Sequence, residues 1–381
     1  MREIHFTGGK TPPETFPYNE LINAAERVIK ELKDVFAYYP TQHKYADYSL
    51  KGYRPLREIA SKRYWNREGV ELPVDNIVIT AGSMQAIELV GRTFIKPGDT
   101  VITEELTYYG TLEFFRYLGA RIIGVKIDEK EGIIVDDLEE KLRILDSVGL
   151  KPKFIYVLPN NHNPTGARMP ESNRIRLIDI TKEYNIPIIE DDCYGDLDFI
   201  KDAKPKSILT LDRDRETIFI ATFSKIIAPA LRLGYFYAHE KYLDSILSHR
   251  WDIGTSLLAS AIVAEYLKDN LWRQIERQIE AIKLRRDILL ESLEEYMSEY
   301  ATWTKPNGGL FIWVKLNVDI DMDRLEKKAG EYGVYFDSGW KFHYRMKKLK
   351  AFRLSYAHVP PDEIREGVKR ISNVVKDILK T

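Results

Sequence analysis

The sequence predicts an α/β protein: a large domain on a mainly parallel seven-stranded sheet flanked by helices, with a smaller α+β domain beside it. Three observations carry this. Seven short apolar runs with few polar breaks lie between residues 77 and 238, and helical stretches separate most of them. Runs of that kind are strands buried on both faces of a parallel sheet. Beyond Glu240 the pattern turns helical, and residues 300–381 mix two strands with two helices. At 381 residues the chain is long enough for two such units.

The elements follow in order. Residues 17–37 read as a helix. Pro55 to Glu68 is a second, with Pro in the first turn, apolar positions at helical spacing and Gly69 behind it. The candidate strands are Ile77–Thr80, Thr100–Thr103, Arg121–Lys126, Phe154–Leu158, Ile186–Glu190, Thr217–Ala221 and Gly234–Ala238. Between them lie helices Ser83–Phe94, Tyr108–Leu118, Val135–Ser147 and Ser172–Tyr184. Helices His239–Arg250 and Ser256–Lys268 come next, then a separate long charged helix from Trp272 to about Glu299. Strands Leu310–Leu316 and Ala351–Ser355 with helices Met322–Tyr332 and Pro361–Leu379 complete the chain. We take residues 46–275 as the large domain and residues 1–45 with 276–381 as the small one. A cleft between them, at the C-terminal ends of the parallel strands, is where a ligand is expected.

Composition narrows the function. A net charge of −1 gives no reason to expect a nucleic-acid partner. One cysteine, Cys193, makes no internal disulfide, and the first residues carry no apolar leader. No run approaches the length of a membrane span, so the expectation is a cytoplasmic protein without a membrane partner.

Five stretches carry chemistry. Ala81-Gly82-Ser83-Met84-Gln85 follows a strand and opens a helix, where free backbone N–H groups and the helix dipole can form a phosphate cradle, although many purely structural strand-to-helix turns look the same. Thr107-Tyr108-Tyr109-Gly110 begins the next helix, and Tyr108 can stack on a planar heterocycle or serve the core. Asn163-Pro164-Thr165-Gly166 forms a rigid turn at a strand end, with Asn163 offering an amide. His162 beside it is expected at the surface. Glu190-Asp191-Asp192-Cys193-Tyr194 ends the following strand, and an aspartate there can pair with a protonated pyridine nitrogen, while three acids in a row also fit a metal site or a polar strand end. Cys193 reads as filler and Asp192 as a structural hydrogen-bonder. Last, Thr222-Phe223-Ser224-Lys225 follows an apolar strand, with Arg232 seven residues on. A lysine so placed can be held neutral for Schiff-base chemistry with a carbonyl cofactor, although a single lysine also fits a solvated loop.

Together these motifs, in this order and spacing, resemble the class I/II aminotransferases of fold type I, which use pyridoxal 5′-phosphate (PLP). The resemblance covers almost the whole chain. Phe6-Thr7-Gly8-Gly9-Lys10 and Phe16-Pro17 are similar to the Gly-Gly substrate segment of the 2-aminoadipate, kynurenine and aromatic aminotransferase group. Pro306-Asn307-Gly308-Gly309-Leu310-Phe311-Ile312-Trp313 and Arg353-Leu354-Ser355-Tyr356 resemble the family's small-domain segments. The resemblance implies that Lys225, Asp191 and Tyr194 are catalytic, Lys225 carrying the cofactor and serving as the base. It implies that Gly82, Ser83, Met84, Gln85, Thr222 and Arg232 anchor the phosphate side. Tyr108 is expected to stack on the ring, and Asn163 and Tyr194 to hold its phenolic oxygen. Arg353, Gly9 and Asn163 are expected to bind the substrate, with Arg353 clamping the α-carboxylate; an arginine on a short apolar strand also fits an internal ion pair. Tyr48, in Tyr48-Ser49-Leu50-Lys51-Gly52, is expected to reach the cofactor of a second subunit, which implies a homodimer with shared sites.

The expected reaction moves an amino group between an L-amino acid (aromatic, long aliphatic, or of the 2-aminoadipate/glutamate type) and a 2-oxo acid by ping-pong chemistry, without a metal. Lys10 or Lys51 would suit an acidic side chain; the aromatic residues Phe16, Tyr38, Tyr39 and Tyr45 would suit an apolar one. A C–S lyase on the same scaffold is the alternative. A cofactor-binding sensor module is the remote one, set aside because the cofactor-type sequence starts at residue 6.

Overall fold

The computed structural model describes residues 2–200 and 204–380. Its larger sheet runs, in spatial order, Ile77–Thr80, Gly234–Tyr237, Ile218–Thr222, Ile188–Asp191, Ile155–Val157, Thr100–Glu104 and Arg121–Val125. Gly234–Tyr237 is antiparallel to its neighbours; the other pairings are parallel. Strands Ile77–Thr80, Ile155–Val157 and Ile218–Thr222 are buried at every position, as a sheet covered on both faces requires. The seven expected strands are therefore the seven observed, with ends shifted by a residue or two.

A second sheet of five strands runs Ile4–Phe6, Val334–Ser338, Ala351–Ser355, Phe311–Leu316, Ala301–Trp303. Three of these, Ile4–Phe6, Ala301–Trp303 and Val334–Ser338, are not among the strands read from the sequence. Ile4–Phe6 pairs in parallel with Val334–Ser338, so the start of the chain is sewn to its end.

Two helices differ from expectation. The first ends at Glu31 and gives way to a 3₁₀ turn over Lys33–Phe36. Residues 257–297 form one unbroken helix of 41 residues instead of two. Asp269 and Asn270 weaken the helical pattern locally, but Leu267, Leu271 and Ile275 keep one buried stripe. Asn270 also returns its amide to the Tyr266 carbonyl at 2.8 Å, so the turn is held. Residue 275, the boundary drawn from the sequence, lies within this helix. Among the described residues no helix is long and apolar enough to cross a membrane.

Candidate active site

The strand ends at Thr80, Asp191 and Thr222, with the loops that follow them, meet the Gly8–Gly9 segment and the strands carrying Phe311 and Arg353 around a cavity of about 260 Å³. Lys225 stands just past strand Ile218–Thr222, and its Nζ donates to the Gly9 carbonyl at 2.5 Å. Its solvent exposure is partial, yet removal from bulk water pushes its pKa down; Arg353 and Arg232 push the same way, against Cys193 and Asp191. Loss of the ammonium proton is thereby eased.

Asp191 closes strand Ile188–Asp191 and is buried. Burial raises its pKa, opposed by hydrogen bonds. The Tyr156 hydroxyl donates to Oδ2 at 2.6 Å, the Cys193 amide donates to Oδ1 at 3.3 Å, and the Thr111 hydroxyl backs Tyr156 at 3.2 Å. The carboxylate is thus held in one orientation at the cavity wall. Tyr194, three residues on, lies edge-on to Phe311 with ring centroids 5.4 Å apart.

On the opposite side Gly82 adopts φ 81°, ψ 170°, a conformation nearly confined to glycine, and leads into helix Ser83–Phe94. A Cβ at Gly82 would sit 2.7 Å from Arg232 Nη2. Arg232 itself has φ 51°, and its Nη2 donates to the Ala81 carbonyl at 2.8 Å. Ser83, Met84, Thr222 and Ser224 line the same end. The Thr222 hydroxyl donates to the Leu233 carbonyl at 3.3 Å and accepts from the Ser224 amide at 3.1 Å.

Arg353 is buried on strand Ala351–Ser355. Its Nη1 donates to Asn163 Oδ1 and its Nη2 to Asp337 Oδ2, each at 2.6 Å. The Phe311 and Phe342 rings lie against the guanidinium, at 4.3 and 4.6 Å from Cζ. Tyr108 borders the cavity, half-buried, and burial pushes its phenol up to about 12, so it stays neutral.

Most residues expected at the site therefore meet here: Gly9, Gly82, Ser83, Met84, Tyr108, Asn163, Asp191, Tyr194, Thr222, Lys225, Arg232 and Arg353 all line the one cavity. Two do not. Gln85 is turned away by the helical phase: its Oε1 accepts from the Ala81 amide at 2.7 Å and its Nε2 donates to Asp252 at 2.6 Å. Tyr48 is 68% exposed on a turn outside the cavity. His162, expected at the surface, is fully buried, 3.2 Å from Glu104 and hydrogen-bonded to the Thr165 hydroxyl at 2.8 Å. The sequence reading missed Tyr156, Asp337, Ser224 and Phe311, and took Cys193, which lines the cavity, for filler. Tyr156 left one signal, a hydroxyl-bearing residue inside an otherwise aliphatic buried strand.

Comparison with known proteins decides the family. The model for aminotransferase class I and II matches residues 16–371. The chain belongs to this family. This aminotransferase is 35% identical to aromatic-amino-acid aminotransferase 1 of Thermococcus litoralis, over 99% of this chain and 89% of that one. Among solved structures it resembles the kynurenine aminotransferase of Pyrococcus horikoshii, solved with PMP, KYN as substrate and KYA as product. The TM-score is 0.91 at 34% identity, covering all of this chain and 92% of the other. The α-aminoadipate aminotransferase of Thermus thermophilus, complexed with N-(5′-phosphopyridoxyl)-L-leucine, gives a TM-score of 0.89 at 31% identity, covering 99% and 93%. PLP is the cofactor of the family, and the donor set fits it. A buried carboxylate, a lysine eased toward neutrality and a helix N-terminus with an arginine face one another across a cavity of suitable size.

Proposed function

We propose that this aminotransferase transfers the amino group of an aromatic or long aliphatic L-amino acid to a 2-oxo acid. One observation carries the choice of substrate. Four ionic side chains line the cavity (Asp191, Lys225, Arg232 and Arg353), and the family chemistry occupies each. Asp191 suits the ring nitrogen, Lys225 the carbonyl carbon, Arg232 the phosphate and Arg353 the α-carboxylate. Among the described residues no further cation lines the cavity to receive a second carboxylate, and Lys10 is exposed away from the lining. Ser83, Asn163, Thr222 and Ser224 give the phosphate and ring side its polar lining, whereas Tyr109, Leu158, Phe311 and Pro229, next to Tyr108, are aromatic or apolar and leave the substrate side chain no second charge to meet. Relatives named for aromatic, kynurenine and α-aminoadipate substrates bracket this choice.

Bound, the cofactor supplies an electron sink that stabilises negative charge at the substrate Cα. The protein's own residues do the rest. Asp191 keeps a proton on the ring nitrogen, held in aim by Tyr156. Asn163 and Tyr194 offer donors to the phenolic oxygen, and Tyr108 covers the ring face. Gly82, Ser83, Met84, Thr222 and Arg232 hold the phosphate end, with Ser224 added from the structure. Arg353 fixes the α-carboxylate, and Gly9 borders the substrate's path. Lys225 Nζ removes the α-proton and redelivers it, a positioned base worth roughly 10²–10⁴ in rate. Two half-reactions of this kind give ping-pong turnover.

A homodimer with shared sites belongs to the same proposal. Tyr48 is exposed together with Phe36, Tyr38, Tyr39, Trp251 and Ile253. These segments are neighbours: a Cβ on Gly254 would lie 2.8 Å from Pro40, and Arg250 Nη1 donates to the Leu50 carbonyl at 2.8 Å. Such a contiguous aromatic patch supports a covered surface. We keep residues 46–275 as the PLP-binding domain and 1–45 with 276–381 as its companion.

The test is a half-reaction panel on the PLP-loaded enzyme, following its visible spectrum with phenylalanine, tyrosine, leucine, glutamate and 2-aminoadipate. Aromatic acids should react with kcat/KM on the order of tenfold above 2-aminoadipate, the size of discrimination an apolar pocket supplies. The reverse order would refute the pocket assignment, and pyruvate with ammonia released from a cysteine conjugate would refute transamination as the main reaction.

A further inference from the structure

Strands Val334–Ser338 and Ala351–Ser355 run antiparallel with Asp337 directly opposite Arg353, so their side chains share one face. Asp337 Oδ2 accepts from Arg353 Nη2 at 2.6 Å and from the Gly8 amide at 3.3 Å, while Lys341 Nζ lies 3.9 Å from Oδ1. Both partners of the ion pair are buried, Arg353 at 2% and Asp337 at 9% exposure, so water screens their attraction poorly. Phe311 and Phe342 restrain the guanidinium plane, Asn163 holds one terminal nitrogen, and Nε has no hydrogen-bond partner among the described residues. Arg353 and Gly8 line the cavity whereas Asp337 does not. Its carboxylate reaches the cavity only through these two.

We propose that Asp337 is a positioning residue for the carboxylate anchor: it aims the Arg353 fork and, by its charge, sets how tightly that fork holds a substrate carboxylate. The inference rests on Arg353 being the anchor. Two physical effects of opposite sign follow. As an acceptor, Asp337 keeps the fork from collapsing onto other partners, which removes the cost of ordering it when substrate arrives. As an anion, it offsets the guanidinium charge and repels a second carboxylate on the same group. The anchor is therefore well aimed but weak, which suits a site that must release a 2-oxo acid in every half-reaction.

Asp337→Asn separates the two effects, because the amide oxygen still accepts from Arg353 and Gly8 while the charge is gone. The readouts are the dissociation constant of 3-phenylpropionate, a carboxylate lacking the amino group, on the PLP-loaded enzyme, and the KM and kcat for phenylalanine. The Asn variant should bind 3-phenylpropionate on the order of tenfold more tightly, with KM falling and kcat little changed. Asp337→Ala, which also loses the acceptor, should bind it less tightly than the Asn variant does. Arg353→Gln serves as the control and should lose binding. Unchanged or weaker binding by Asp337→Asn, with Arg353→Gln impaired, overturns the role of Asp337 alone. Normal binding by Arg353→Gln overturns the anchor assignment itself. Asp337→Ser, neutral and smaller, carries the same charge test if the Asn variant does not fold.

Discussion

Replacing Gly82 by alanine tests the phosphate cradle through two separable costs. The first is conformational: φ 81° with ψ 170° is a glycine region, and a side chain there costs about 1–3 kcal/mol. That cost is present with or without cofactor, so it appears as lost stability, a lowering of Tm by a few degrees. The second is local. The new Cβ would stand 2.7 Å from Arg232 Nη2, and the end of a flexible side chain yields before backbone does. Arg232 then gives up its 2.8 Å bond to the Ala81 carbonyl and its aim at the cavity. A hydrogen bond to a charged group contributes about 1.5–3 kcal/mol, and the exposure of Arg232 argues for the lower end. Affinity for PLP should therefore fall on the order of tenfold, and no more than about a hundredfold. Titration of cofactor-free protein with PLP by fluorescence quenching gives the second cost, and calorimetry of the same sample gives the first. A variant that binds PLP as the parent does, whatever its Tm, would refute the placement of Gly82 and Arg232 at the phosphate.

Other consequences are equally direct. Because burial lowers the pKa of Lys225 below 10.5, the unfolded chain binds its proton more tightly than the folded one. Lys225 should thus add a rise in stability of the cofactor-free protein with pH between its lowered native value and 10.5. In a Tm series Lys225→Met should flatten the Tm–pH slope by that share, leaving the share of Lys204, whose pKa is lowered by burial to about 8. If Tyr48 serves a partner's site, inactive Lys225→Ala and weakened Tyr48→Ala proteins, mixed under exchange conditions, should regain activity, since one site per mixed dimer carries both native residues. No recovery despite proven subunit exchange would exclude the shared site.

What could be read from sequence divides along physical lines. Strands such as Ile218–Thr222 are buried on both faces, so their apolar runs stand out without any knowledge of neighbours. Ile4–Phe6 is three residues long with an exposed His5 at its centre, and only its pairing with Val334–Ser338 makes it a strand. The latter ends in Asp337-Ser338, whose polarity masks it until Arg353 is seen opposite. The site follows the same rule. Residues whose role depends on a local backbone feature, such as Gly82 at a helix start or Asn163 in its turn, are legible from spacing. Residues whose role comes from a distant partner, as Tyr156 toward Asp191 or Asp337 toward Arg353, are not. Gln85 failed for a third reason: neighbouring positions at a helix start point in different directions, and its phase carries it to Asp252.

Beneath the cavity, the loops that present these residues are tied together by charge. Arg63 Nε donates to Asp196 Oδ2 at 2.7 Å and its Nη1 donates to the Thr222 carbonyl at 2.9 Å, joining the segment just past Tyr194 to the strand before Lys225. Arg67 reaches Asp192 at 2.5 Å, and Asn160 Nδ2 donates to the same aspartate at 2.7 Å, bringing in the loop before Asn163. Burial pushes the Asp196 carboxyl up, but Arg63 and Arg67 outweigh it and hold the pKa down to about 2. A depressed carboxylate contributes stability above its unfolded value of 3.8 that is lost as pH falls through about 2. Asp196→Asn leaves Arg63 buried without its counter-charge, a loss of roughly 3–5 kcal/mol near neutrality. The Tm deficit of the variant against the parent should accordingly be largest above about pH 5 and shrink toward acid. Because Arg63 also holds Thr222, the variant should lose affinity for PLP although Asp196 does not line the cavity. A deficit independent of pH, or a variant with parental PLP affinity, would show that the ion pair neither carries the stability nor braces the site as argued.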